Sequence, residues 1–457
     1  MEINLELLTI QNPWWQGTSL KFDPVIDAYD HQSINVRPKI IDDFNLNQDT
    51  IYTLHSARGL GKSTAIKILI KELIEKKGID PNNIFYYSCH NIDTYEQLNE
   101  LIKVFLTWHQ EGEKRRYIFI DEITLIKNWQ KGINYLREAG RLKNITLVLA
   151  GSNLAIKKPL SKAENKFIVS LNFIDFINLI NPVLFKEINQ KNYFKHAGQL
   201  DYYLDIYFLT GGFISTLNSY RDKGAIGQGI YSNYLYWLIS DFAKMGRDIS
   251  LLRQILEQVL LKLGQPIGYK TIAHRTKAKT HLTVAEYLNI LESSFSVKLV
   301  YQSDAKGNIS KNKAKKVYFR DPFLFWLFYS YIHGAINYWE FSRDRLHRED
   351  IFSALVENVI FGHLIKDETL DNWGKKVSYW RDNVKKNEIN FLVNNGDKIT
   401  PILIRHNKEI ADRDKAIFKK AGFSKGIIIS KDEMKLDKNI KIIPLVYFLL
   451  FYKNYVG

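Results

Sequence analysis

The stretch HSARGLGKST, residues 55–64, constrains the fold more than any other feature of the chain. It nearly spells G-x-x-x-x-G-K-[S/T], a loop whose backbone N–H groups wrap a polyphosphate, whose lysine reaches the outer phosphates and whose hydroxyl ligates a metal ion. Gly61, Lys62 and Ser63 match, with Arg58, Gly59, Leu60 and Thr64 around them, but Ser56 stands where the pattern begins with glycine. Serine is small yet lacks glycine's backbone freedom. Two readings follow: a working loop, or a retained shape that turns over slowly or not at all.

Context favours the working loop. DTIYTLH (49–55) is β-rich, and KSTAIKILIKELIEKKG (62–78) carries apolar residues at Ile66, Ile68, Leu69, Ile70, Leu73 and Ile74, so the order is strand, loop, helix. IFYYSC (84–89) predicts a second strand, with a helical stretch to about Trp108. YIFIDE (117–122) predicts a buried strand that delivers two acids, Asp121 to hold magnesium through water and Glu122 to polarise the attacking water. ITLVLAGSN (145–153) ends in Ser152 and Asn153, polar tips suited to sensing a γ-phosphate. Four strands alternating with helices imply a parallel sheet with its ligand at the strand ends. ATP and Mg2+ are the expected cofactors. The catalytic candidates are Glu122, Asp121 and Asn153, the nucleotide-binding run is Arg58 to Thr64, and Ser63 and Asp121 are the metal-holding pair.

A chain of 457 residues exceeds one compact core, so two or three domains are expected. A single cysteine, Cys89, excludes an intramolecular disulfide and has no metal-ligand spacing, which fits a reducing cytoplasm. The start, MEINLELLTIQNPWW, has no basic run before its apolar positions, so no secretory leader is expected. The longest apolar stretch, IIPLVYFLLFY (442–452), falls well short of the roughly 20 residues of a membrane span. Net charge is +15, and residues 261–320 alone hold 12 Lys and Arg against three acids, so polyphosphate is the first partner to consider.

That basic window has a shape. GQPIGYKTIAHRTKAKTHLTVAEYLNILESSFSVKLVY (264–301) predicts a helix near 269–276, a polar turn, and a second helix turning Val284, Tyr287, Leu288 and Leu291 inward. VKLVYQSDAKGNISKNKAKKVYF (297–319) then predicts a β-hairpin turning near Gly307 and Asn308. Together these make a winged helix. Arg275, Lys277, Lys279 and His281 fall at the start of its recognition helix, and Lys306, Lys311, Lys313, Lys315 and Lys316 along its wing. DNA bound with modest sequence preference is the expected partner. A rigid lid extension or a protein dock is the alternative.

With these residues placed, the chain resembles the archaeal-type ATPases of the AAA/STAND branch of P-loop proteins. The likeness lies in NPWW (12–15), Arg37-Pro38, ARGLGKST, YIFIDEITLIKNWQKGINYL (117–136), AGSN (150–153), LTGGF (209–213) and VYFRDPFLFWLF (317–328), in that order. The resemblance implies an α/β architecture: a P-loop ATPase core (46–200) after an N-terminal segment (1–45), a helical lid (201–255), a winged helix (256–335) and a C-terminal restriction-nuclease-like domain (336–457). In the lid, Ile214 stands where relatives usually carry proline, and residues 157–167 lack their Gly-Arg pair, so no arginine finger is named. Relatives' nuclease cores gather a metal with Glu-x-Asp and Glu-x-Lys. Here the positions read Glu388-Ile389-Asn390 and Leu403-Ile404-Arg405, with Glu357 on the preceding helix. Two carboxylates are few oxygens for a hard cation, and arginine does not shuttle a proton, so no nuclease activity is expected. The oligomeric state stays open, with a homo-oligomer one of the expectations because sites of this type often complete themselves between subunits. The STAND side of the resemblance implies the competing expectation of a nucleotide-gated switch acting on an unidentified protein partner.

Overall fold

A computed structural model describes residues 5–108, 114–153, 160–367, 375–382, 384, 387–396, 398–406 and 409–456. The chain divides into two compact units, residues 1–169 with 293–295, and residues 170–292 with 296–457.

The first unit is built on a parallel sheet. Its strands are β1 (Ile51–His55), β2 (Ile84–Ser88), β3 (Arg116–Asp121), β4 (Ile145–Gly151) and β5 (Glu164–Phe167), in the order β2-β3-β4-β1-β5. The first four are near-continuous apolar runs because helices cover both faces. Leu54, Ile66, Leu69, Ile70, Leu73 and Val148 pack on one side, and Phe85, Ile102, Phe105, Ile118, Ile120 and Leu147 on the other. The helix Lys62–Glu75 starts directly from the phosphate loop, so the loop sits at the carboxyl end of β1. The sequence expectation had four strands. The fifth, Glu-Asn-Lys-Phe, is polar and only partly buried, and it pairs with β1 as an edge strand without an apolar signature.

The opposite edge, β2, is closed by side chains. Asn12 Nδ2 donates to the Tyr86 carbonyl (2.9 Å), and its Oδ1 accepts from the Tyr86 N–H (2.7 Å). Trp14 Nε1 and Trp15 Nε1 both donate to the Ile84 carbonyl, and Gln11 Oε1 accepts from the Ser88 N–H. The NPWW run thus satisfies backbone groups that a bare edge strand would leave open.

The second unit joins a helical layer to an eight-stranded mixed sheet. After the short helices Phe173–Ile180 and Pro182–Glu187 come Ala197–Thr210, Ile214–Lys223, Gln228–Lys244 and Ile249–Leu260, then the pair Tyr269–His274 and His281–Ser293. A hairpin follows, β6 (Val297–Ser303) with β7 (Ile309–Phe319), turning through Gly307 at φ 84°. The remaining strands are β8 (Val377–Arg381), β9 (Glu388–Asn394), β10 (Ile399–Ile404), β11 (Gly426–Ser430), β12 (Lys435–Leu436) and β13 (Ile440–Pro444). The order is β12-β13-β11-β10-β9-β8-β6-β7. The hairpin therefore shares one sheet with the C-terminal strands, through the pairing of β6 with β8. The apolar run 442–452 becomes the end of β13 and the buried helix Leu445–Phe451. Among the described residues no helix is long and apolar enough to cross a membrane.

Candidate nucleotide site

The phosphate loop spends its glycines where the backbone needs them. Gly59 (φ 76°) and Gly61 (φ 86°) are both left-handed, a region L-residues avoid. Ser56 is not among the left-handed positions, so the missing first glycine costs no backbone strain. Its side chain has another effect. Ser56 is buried, its Oγ donates to the Ala57 carbonyl (2.8 Å) and accepts from Lys62 Nζ (3.1 Å), and the amine lies 3.4 Å from the carbonyls of Ser56 and Ala57.

The two acids after β3 arrive beside this loop. Ser63 Oγ donates to Asp121 Oδ2 (2.5 Å), Tyr86 Oη donates to the same oxygen (3.2 Å), and the Glu122 N–H donates to Asp121 Oδ1 (2.9 Å). Burial raises the Asp121 carboxyl above its ordinary range, with the Ser63 hydrogen bond opposing. Glu122 itself is left-handed (φ 51°), a sharp turn where the strand ends. Its carboxylate accepts from Ser152 Oγ at 2.8 and 3.0 Å, and Arg58 Nη1 lies 3.9 Å away. Asn153 follows, half-buried, at the end of β4, so Ser152 rather than Asn153 is the tip that holds Glu122. Residues 154–159, where the sequence turns toward the missing Gly-Arg pair, lie outside the described residues.

A hydroxyl and a carboxylate within hydrogen-bond distance form a hard-oxygen donor pair suited to magnesium, which keeps most of its waters. The left-handed glycines leave room for a phosphate to meet the loop N–H groups. The residues present therefore fit a magnesium nucleotide. Two participants carry no motif in the sequence. Tyr86 reaches Asp121 from the neighbouring strand. His55, at the mouth of the loop, is pushed down to about 4 by burial, so it is neutral at pH 7 and bonds Thr53 Oγ1 at 3.0 Å.

Residues 48–178 match a protein family described as an AAA domain. The first unit has the fold of the P-loop AAA ATPases. Residues 202–328 and 352–448 match two further families, each described as a domain of unknown function. An uncharacterized protein of Haemophilus influenzae is 23% identical over 421 residues, 88% of this chain and 94% of that one. Among solved structures, Aeropyrum pernix ORC1 in complex with DNA is 13% identical over 59% of this chain and 83% of its own (TM-score 0.28). A Thermotoga maritima RuvB variant is 14% identical over 69% and 92% (0.29). A STAND protein with a tetratricopeptide repeat sensor from Pyrococcus horikoshii is 13% identical over 74% and 46% (0.28).

Outside the AAA fold, the expected DNA-facing cations divide. Arg275, Lys277, Lys279 and His281 are exposed along the turn and first residues of the second helix, and Lys306, Lys311 and Lys313 are exposed near the hairpin tip. Lys315 and Lys316 are a correction. Lys315 is 7% exposed, with its amine 4.3 Å from the centre of the Tyr269 ring. Lys316 is fully buried, its Nζ 2.9 Å from Glu357 Oε1 and 2.6 Å from Glu388 Oε1. Beyond Ala314 both faces of β7 are covered, so neither lysine reaches a phosphate.

Lys316 thus lies between the two carboxylates that the sequence placed at the nuclease-like centre. Burial works to lower its pKa, but the two carboxylates prevail and the net direction is upward. Tyr318 Oη also donates to Glu357, and Arg381 Nη1 lies 3.4 Å from Glu388. Asn390 Oδ1 accepts from the Ile404 N–H, and Arg405 is paired with Asp414 at 2.7 Å. Among the described residues no three His, Cys, Asp or Glu gather as a metal site.

Proposed function

We propose that this protein is a magnesium-dependent ATPase of the AAA/STAND kind that binds DNA through its helix pair and hairpin, with a nuclease-like C-terminal part that does not cut. The convergence of Lys62, Ser63, Asp121 and Glu122 at the ends of β1 and β3 carries the reading. The loop N–H groups and Lys62 take the phosphates. Ser63 and Asp121 would hold magnesium, which neutralises charge on the β- and γ-phosphates when bound. Glu122 orients the attacking water and Ser152 and Arg58 set its direction. In the nuclease-like part, Lys316 already bridges Glu357 and Glu388 and Arg381 adds a second cation beside Glu388, so a divalent ion would have to displace these ion pairs.

The helix, turn, helix and hairpin in sequence support a winged helix, and the exposed Arg275, Lys277, Lys279, Lys311 and Lys313 suit phosphates rather than base edges. One observation favours a second reading, the nucleotide-gated switch with little turnover. Glu122 is bonded by Ser152 and approached by Arg58, and a general base held this way needs release before it can meet water.

Steady-state ATP hydrolysis with and without duplex DNA separates the two. A magnesium-dependent rate that falls about a hundredfold or more in Glu122→Gln and is abolished in Lys62→Ala, and that rises with DNA, supports the DNA-coupled ATPase. Tight ATP binding with negligible turnover, indifferent to DNA, supports the switch. Hydrolysis by Glu122→Gln at the wild-type rate would remove Glu122 from the mechanism.

A further inference from the structure

Among the described residues Tyr86 joins the Ser63 hydroxyl and the Glu122 N–H as a donor to Asp121, and the latter two belong to its own site: the Ser63 hydroxyl, which shares the metal role, and the N–H of the next residue. The tyrosine comes from elsewhere. Tyr86 stands on β2 opposite Phe119 of β3, while Ser88 stands opposite Asp121, so Tyr86 is the diagonal neighbour of Asp121 on the same face. Its hydroxyl meets Asp121 Oδ2 at 3.2 Å.

Tyr86 is in turn fixed from the far side. Lys67 Nζ lies 3.8 Å from the centre of its ring and 5.1 Å from that of Trp14, and is paired with Asp23 at 3.0 Å. Lys67 is 4% exposed, an unusual place for an ammonium unless it serves its neighbours. A cation over the face of a phenol draws electron density from the ring and makes its hydroxyl a better donor. The backbone of Tyr86 is gripped on both its N–H and its carbonyl by Asn12. Every one of these partners, Asn12, Trp14 and Asp23, belongs to the segment that precedes the first strand.

From this chain of contacts we infer that Tyr86 is a positioning residue for the metal-holding carboxylate, and that the segment 11–23 acts through Lys67 and Tyr86 to set how tightly the site takes its divalent ion. The inference rests on the nucleotide reading of the site. A hydroxyl that offers a lone pair to a metal can still donate its proton, so the Ser63 bond to Asp121 is shared with the metal role, and the Tyr86 bond is a second hold on the same oxygen. Tyr86 is not a ligand, so its hold does not depend on the metal. A break anywhere along Asp23, Lys67 and Tyr86 then loosens the metal without touching the phosphate loop.

The test is Mn2+ uptake followed by electron paramagnetic resonance on the full chain with saturating ADP, for wild type, Tyr86→Phe and Lys67→Met. Nucleotide affinity in EDTA and thermal unfolding are measured on the same samples. Tyr86→Phe keeps the ring and its packing. It is expected to weaken Mn2+ about tenfold, with metal-free ADP affinity unchanged, and Lys67→Met to weaken it less in the same direction. Mn2+ titrations of Tyr86→Phe and Lys67→Met that overlay wild type would overturn the inference and leave the nucleotide reading standing. A wild type that takes up ADP in EDTA but no Mn2+ overturns the metal assignment and this inference together. Loss of metal-free ADP affinity in Tyr86→Phe also overturns it, since the tyrosine would then serve the loop as a whole.

Discussion

Lys62 lies on oxygens of its own loop, and one of those oxygens exists only because residue 56 is serine. To meet a phosphate the amine must give that hydrogen bond up. A neutral acceptor is worth about 0.5–1.5 kcal/mol net, which converts to about two- to tenfold in affinity. Ser56→Gly is therefore expected to tighten ATP by that factor, read by titration of a fluorescent nucleotide. The same change should lower unfolding stability by about 0.5–1 kcal/mol through the freer unfolded chain. Unchanged or weaker ATP binding would mean that the serine hydroxyl does not compete for the lysine. At this scale the sequence was readable wherever the chemistry is local. Lys62, Ser63, Asp121 and Glu122 sit in short motifs and meet as those motifs imply. Tyr86 and Lys67 were invisible because their roles depend on which strands are neighbours and on a segment more than 40 residues upstream.

Elements were legible where apolar periodicity had one explanation. The phosphate-loop helix, the acid-bearing strand and the basic hairpin all appear in place, the hairpin turning at Gly307. Two of the wing lysines, Lys315 and Lys316, are not on a solvent face, for a definite reason. Lysines along a strand mark a solvent face only where that face stays open, and Glu357 and Glu388, far along the chain, close over Lys316. The LTGGF and FRDPF motifs also meet in a way spacing did not reveal. Asp321 accepts from the Gly212 N–H (2.9 Å) and the Phe323 N–H (2.8 Å), and a Cβ on Gly211 would fall 1.8 Å from its oxygen. Burial pushes the Asp321 carboxyl up to about 6, against those hydrogen bonds and one from Ser170. Because the folded carboxyl holds its proton to higher pH than the unfolded one, its contribution is most favourable below about pH 4 and is lost as pH rises to about 6. A shift of about two units is about 3 kcal/mol. In urea unfolding, the stability of wild type relative to Asp321→Asn is expected to fall by that order between pH 4 and pH 6 and to stay level above. A difference that does not change with pH would show that Asp321 is ionised throughout.

Charge is the property of the whole molecule that its composition states most directly and its structure revises most. Of the 12 Lys and Arg in residues 261–320, Lys298, Lys315 and Lys316 are buried, and each lies near a carboxylate or an aromatic ring. Apart from Lys270 on the first helix, the exposed lysines and arginines of the helix pair and hairpin form two groups, Arg275, Lys277 and Lys279 at the turn and Lys306, Lys311 and Lys313 at the hairpin tip. Six phosphate contacts correspond to a slope of about −5 in log affinity against log salt. Lys277→Ala with Lys279→Ala, measured by fluorescence anisotropy on duplexes of unrelated sequence, is expected to lower the slope's magnitude by about 2 and to weaken all duplexes alike. Lys311→Ala with Lys313→Ala is expected to do the same. If only the turn pair moves the slope, the hairpin tip is not in contact with the backbone, and its exposed lysines are left for another partner. If neither pair moves it, the basic face serves a protein dock or solubility, and coupling of nucleotide state to DNA has no physical route through these elements.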